Sequence, residues 1–158
     1  MNVLCWNCRG AGKPAAVCEL REFARKFAPF VLCIIETQIS GARVEALAGT
    51  LGYEKSYAIN SQGRSGGIGM LWNNSSNIKI LGNSCYHIDA KVQEEGHDPW
   101  RITCVYGEAQ AHLRDQTWDV MKGISTMSTL PWLCLGDFNE VLRPLVENRA
   151  LVGAWPAH

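Results

Sequence analysis

Short apolar runs alternate with helical periodicities along this chain. Val3 to Trp6 is an apolar run closed by Asn7-Cys8-Arg9-Gly10, which predicts a buried strand. Pro14 suits the first turn of a helix, and Ala16, Leu20, Phe23, Ala24 and Phe27 then share one helical face before Pro29 ends it. Phe30 to Ile35 predicts a second buried strand ending at Glu36. Val44, Leu47, Ala48 and Leu51 predict a shorter helix closed by Gly52. Gly66 to Trp72 reads as a strand with close backbone neighbours, followed by the turn cluster Asn73 to Asn77. Tyr86, Ile88, Ala90 and Val92 alternate with polar or small residues, and Trp100, Ile102, Cys104 and Tyr106 do the same. Glu95 to Pro99 lies between these two runs, so they form an antiparallel hairpin. A helix from near His112 to Met127 follows, with Leu113, Trp118, Met121 and Ile124 on its buried side. Pro131 introduces a last strand, Trp132 to Leu135, which runs into Gly136-Asp137. Hairpins mixed with helical crossovers predict an α/β fold of two packed sheets flanked by helices rather than a single parallel sheet.

Composition narrows this picture. The 158 residues fit one domain, and 47% hydrophobic against 19% charged residues supports a packed core and excludes a disordered chain. Lys+Arg and Asp+Glu both number 15, so generic electrostatic binding of nucleic acid is disfavoured and any basic patch is local. Seven cysteines without a secretory leader predict reduced thiols and an intracellular protein, with nucleus and cytoplasm not separated. No apolar run approaches the ~20 residues of a membrane span, so no membrane is expected as a partner.

The candidate chemistry lies at strand ends. Asn7 follows the first strand, Glu36 the second, Tyr106 closes the hairpin, and Asp137 and Asn139 follow the last strand. Two residues apart in extended chain, Asp137 and Asn139 point the same way. Carboxylates and amides are oxygen donors suited to Mg²⁺ or Mn²⁺, and a carboxylate near such a metal can take a proton from water. Each residue also has an ordinary reading. Asp and Asn are common turn residues, Glu36 can start a helix or sit in a solvated loop, and Tyr106 can be a half-buried strand residue. Cys5 and Cys8 have C-x-x-C spacing but no second ligand pair, and Gly66-Gly67-Ile68-Gly69 lacks the lysine of a phosphate-binding loop. Arg64 and Arg101 are candidate nucleic-acid contacts, with solvated surface charge as the plain alternative.

Five segments occurring in order carry a resemblance. They are Leu4-Cys5-Trp6-Asn7-Cys8-Arg9-Gly10, Ile35-Glu36-Thr37, Ser65 to Trp72, Trp100 to Glu108, and Leu130 to Glu140 with its Leu135-Gly136-Asp137-Phe138-Asn139 core. The chain resembles the endonuclease/exonuclease/phosphatase superfamily, and within it the endonuclease domain of plant LINE-type retrotransposons. The resemblance implies a four-layer α/β sandwich over residues 1–142, incomplete at the C-terminus, with 143–158 an unassigned tail. It implies that Glu36 binds the metal with Asn7 close by. Tyr106 would contact the scissile phosphate, Asp137 would activate or orient the attacking water, and Asn139 would fix Asp137 and the phosphate. The implied cofactor is Mg²⁺, with Mn²⁺ as substitute, and the implied substrate is DNA.

The family pattern ends with further strands and a Ser-Asp-His motif, which this sequence lacks. A C-terminal truncation and weak or absent activity of the isolated chain are therefore expected. Three other readings follow: a degenerate non-catalytic remnant, a module that binds DNA without cutting it, or a domain acting on RNA or a small phosphoester.

Overall fold

The computed structural model describes residues 1–140; the expected tail 143–158 lies outside the described residues. Two four-stranded sheets pack face to face, with helices on the outer face of each. The first sheet contains β1 (Val3–Asn7), β2 (Val31–Ile35), β3 (Lys55–Ile59) and β4 (Ile68–Trp72) in the order β1-β2-β4-β3. The second contains β5 (Asn77–Ser84), β6 (His87–Gln93), β7 (Trp100–Tyr106) and β8 (Trp132–Asp137) in sequential order. Helices α1 (Pro14–Phe27) and α2 (Gly41–Thr50) cover the first sheet, and α3 (Arg114–Ser125) covers the second. The expected α/β sandwich is thus observed as helix, sheet, sheet and helix layers.

Side-chain alternation divides the core. On β2, Val31, Cys33 and Ile35 face the second sheet, where they meet Ile88, Ala90, Val92, Ile102 and Cys104. Leu32 and Ile34 face the helices and pack with Leu20, Val44, Leu47 and Leu71. Fully buried on both sides, β2 reads as an unbroken apolar run.

Each sheet has one parallel pair joined by a helical crossover. These are β1–α1–β2 and β7–α3–β8; the other strand pairings among the described residues are antiparallel. Pro14 occupies the first turn of α1, and Ala28 ends it in the left-handed region, its N–H bonding Ala24 O. Ser40 caps α2 by accepting from the Arg43 N–H.

Some expectations needed correction. Phe27 is 44% exposed rather than buried. The buried stripe of α3 passes through Thr117, Met121 and Ile124; Trp118, one position around, lies outside and stacks on Phe138 with ring centroids 5.6 Å apart. Strands β3 and β5 were not foreseen. The first is a short edge strand, and the second alternates exposed and half-buried residues around a bulge between Ile80 and Gly82.

Candidate phosphodiester site

The carboxyl ends of the four parallel strands carry the five strand-end residues. Asn7 closes β1, Glu36 follows β2, Tyr106 closes β7 and Asp137 closes β8. Register places Tyr106 beside Asp137 and Asn7 beside Ile35, next to Glu36. At this end a hydrogen bond links the two sheets: Asn7 Nδ2 donates to Asp137 Oδ2 at 3.1 Å, across 130 residues of chain. Asp137 Oδ1 accepts the Asn139 N–H at 2.9 Å, so both carboxylate oxygens are held. Asn139 adopts a left-handed backbone (φ 50°) and donates through Nδ2 to Gly107 O at 2.7 Å. The Gly107 N–H in turn donates to Asp137 O at 2.8 Å. All five residues are half-buried, so the site is held rigidly yet reaches solvent.

Glu36 has φ 54°, an uncommon region for a non-glycine residue. The turn is fixed by its neighbours: Gly10 N–H donates to Glu36 O, while the Thr37 and Gln38 N–H groups donate to Gly67 O and Gly66 O. Gln38, which the sequence reading did not single out, donates through Nε2 to Glu36 Oε1 at 3.1 Å and steadies the carboxylate. Gly66-Gly67 therefore docks the Glu36 turn rather than cradling phosphate. Burial, reinforced by the nearby Glu36 charge, pushes the Tyr106 phenol above its usual range, with the Asn139 contact acting oppositely. Tyr106 accordingly stays a neutral O–H donor at neutral pH.

Arg64 is exposed on the β3–β4 loop. Arg101 is a correction: it is 1% exposed and cannot contact a nucleic acid. It points toward α3, and its five-residue separation from Tyr106 along β7 is about 16 Å. Its guanidinium pairs with Asp89 at 2.7 Å and donates to Ile124 O at 2.7 Å, so its charge is spent inside the fold.

The Cys5/Cys8 pair does not chelate. Cys5 packs in the inter-sheet core, whereas Cys8 belongs to the core under the helices and donates to Ile35 O. Burial pushes the Cys8 thiol up to about 11. Brief N-ethylmaleimide treatment of the native protein should therefore label exposed Cys18 and Cys85 and spare Cys8, Cys33 and Cys104. Peptide mass spectrometry checks this, and labelling of Cys8 as fast as Cys18 would contradict it.

Two glycines are required by the site. Gly136 has φ +143°, and a Cβ there would collide with the Val105 carbonyl. Gly67 has φ +89°, and a Cβ there would strike Thr37 Oγ1. Gly136→Ala and Gly67→Ala should each cost about 1–3 kcal/mol from backbone strain alone, before any clash. Urea denaturation measures the loss, and midpoints equal to wild type would refute it.

The oxygen donors fit a small hard cation. Among the described residues no three His, Cys, Asp or Glu side chains converge as a cage. Glu36 and the Asn7–Asp137 pair instead offer a sparse oxygen set, which suits Mg²⁺ completed by water and phosphate oxygens. Among the described residues, no helix is long and apolar enough to cross a membrane.

Comparison with known proteins agrees with this fold. The model of the endonuclease/exonuclease/phosphatase family matches residues 4–150. No curated protein sequence matches. Among solved structures, the human Nocturnin catalytic domain with bound sulfate superposes at TM-score 0.68 and 14% identity, covering 88% of this chain and 64% of that one. The 3′ phosphatase NExo from Neisseria, bound to product DNA hairpin, gives 0.64 at 16% identity, covering 88% and 58%. The endonuclease domain of TRAS1, a telomere-specific non-LTR retrotransposon, gives 0.62 at 14% identity, covering 87% and 59%. The chain thus spans less than two-thirds of the length of these three structures. With residues 4–150 matched and the fold shared, the chain belongs to the endonuclease/exonuclease/phosphatase family.

Proposed function

We propose that this chain is a Mg²⁺-dependent phosphodiesterase domain that nicks DNA, of the kind found in plant LINE-type retrotransposons. The observation that carries this reading is the hydrogen-bonded path Asn7–Asp137–Asn139 beside Glu36 and Tyr106. The DNA hairpin on the Neisseria phosphatase and the retrotransposon endonuclease domain support DNA as the substrate.

Glu36 would hold Mg²⁺ or Mn²⁺ with Asn7 nearby, and the bound cation would supply charge neutralisation at the phosphate. Asp137, oriented through both oxygens, takes the proton of the attacking water. Tyr106 donates its O–H to a non-bridging phosphate oxygen. Asn139 locks Asp137 and, through Gly107 O, the end of β7. Arg64 meets a flanking backbone phosphate.

The sequence contains no Ser-Asp-His segment. Supercoiled plasmid incubated with excess protein should be nicked over hours in Mg²⁺, and EDTA should stop it. Plasmid bound but never nicked would overturn the catalytic reading and leave a domain that binds DNA without cutting it.

A further inference from the structure

A cavity of about 140 Å³ opens beside Tyr106. The β3–β4 loop (Asn60, Gln62), the β5–β6 turn (Tyr86) and the segment after β7 (Glu108) form its walls. It therefore adjoins the phosphodiester site through a shared residue, yet no residue assigned above explains it.

Its lining chemistry is selective. Among the described residues its lining contains no Lys, Arg or His, and its one carboxylate is Glu108. A second phosphate would be repelled there, whereas a neutral group with amino or amide edges would be welcome. Glu108 is held in place: its Oε1 accepts the Gln110 N–H at 3.0 Å, and its Oε2 lies 3.3 Å from the Tyr86 hydroxyl. That hydroxyl also meets Gln116 Oε1 at 2.7 Å, and the Glu108 N–H donates to Thr117 Oγ1 at 2.8 Å, so α3 anchors this wall. Tyr86 and Tyr106 supply aromatic surface. Size narrows the ligand further, because a cavity of about 150 Å³ accommodates benzene, one six-membered ring. A purine has two fused rings.

We propose that this cavity is a base-reading pocket for a pyrimidine adjoining the scissile phosphate, with Glu108 accepting a hydrogen bond from the cytosine N4 amino group. A carboxylate is a suitable acceptor for that amino group, whereas thymine presents an acceptor, O4, at the same place. The proposal rests on the phosphodiester reading, which sets the phosphate beside Tyr106.

Binding of the 3′- and 5′-monophosphates of all four deoxynucleosides to the full chain, with Mn²⁺ present, tests both ideas separately. Calorimetry should rank dCMP at least fivefold above dAMP and dGMP, and above dTMP. Glu108→Gln should bring dCMP and dTMP within twofold, because a carboxamide can donate to O4. Affinities within twofold for all four nucleotides, or a purine preference, would overturn the pocket while Glu36-dependent Mn²⁺ binding upheld the site. Mn²⁺ binding unaffected by Glu36→Gln, or no nucleotide binding at all, would overturn both.

Discussion

Arg101→Met is expected to lower stability more than any surface change in this protein. Removing one partner of a buried ion pair costs about 3–5 kcal/mol, because the other charge is left desolvated and unpaired. Here the partner is Asp89, 2% exposed, which accepts from Arg101 Nε and Nη2 and from Thr103 Oγ1 at 2.7 Å. Arg101 Nη1 also binds Ile124 O near the carboxyl end of α3, where a cation is favourable. The Trp132 ring lies 5.1 Å from the guanidinium, and its Nε1 donates to Thr103 Oγ1 at 2.7 Å. One network thus joins β6, β7, β8 and α3. At about 2–4 °C per kcal/mol for a chain of this length, Arg101→Met should lower Tm by roughly 6–20 °C. The double variant Asp89→Leu/Arg101→Met should recover part of that loss, since apolar replacement of both partners is often neutral. A drop under 2 °C for the single variant would show that the network contributes little.

This network also marks where sequence reading reached its limit. Arg101 lies on a strand of period two, and Trp100, Ile102, Cys104 and Tyr106 correctly define the inter-sheet face. The opposite face looked like solvent because it carries Arg101 and Thr103. Only the covering by α3 and the matching Asp89 across the β6–β7 ladder show that this face is buried too. Alternation reveals two faces but not what lies on each. The same limit explains Trp118: a helical stripe shifted by one position changes which large side chain is inside. β5 was missed because Gly82 and a bulge interrupt its alternation, and β3 because Lys55–Ile59 is short and lies at an edge.

The strand ends were more legible. Polar residues that terminate apolar runs stand out locally, and Asn7, Glu36, Tyr106 and Asp137 all did. Their convergence was not local information. It depends on two parallel crossovers bringing four carboxyl ends together, sealed by the Asn7–Asp137 bond. Gln38 carried no signal in sequence, since its role arises from consecutive tight turns with positive φ at Glu36 and Gln38.

Asp137→Asn is expected to have the largest effect on catalysis. The substitution keeps the size of the side chain and leaves an oxygen that can accept from the Asn139 N–H, so the fold is retained. In the proposed mechanism it removes the group that takes a proton from water. Loss of a positioned general base costs about 10²–10⁴-fold in rate. The amide also places an N–H₂ group near the Asn7 donor, a repulsive contact that loosens the link between sheets. Single-turnover nicking of plasmid with the variant in excess should fall by that factor, with a Tm within a few degrees of wild type. An unchanged rate would remove Asp137 from the proton-transfer role, and a collapsed Tm would make its role structural.

The most direct test of the site is where a divalent cation binds. Titrating Mn²⁺ into ¹⁵N-labelled protein should first broaden the amide signals around Asn7, Glu36, Gly107 and Asp137, and Glu36→Gln should abolish this broadening at the same concentrations. Selective broadening elsewhere, or identical broadening in Glu36→Gln, would contradict a metal-dependent phosphodiester site at these strand ends.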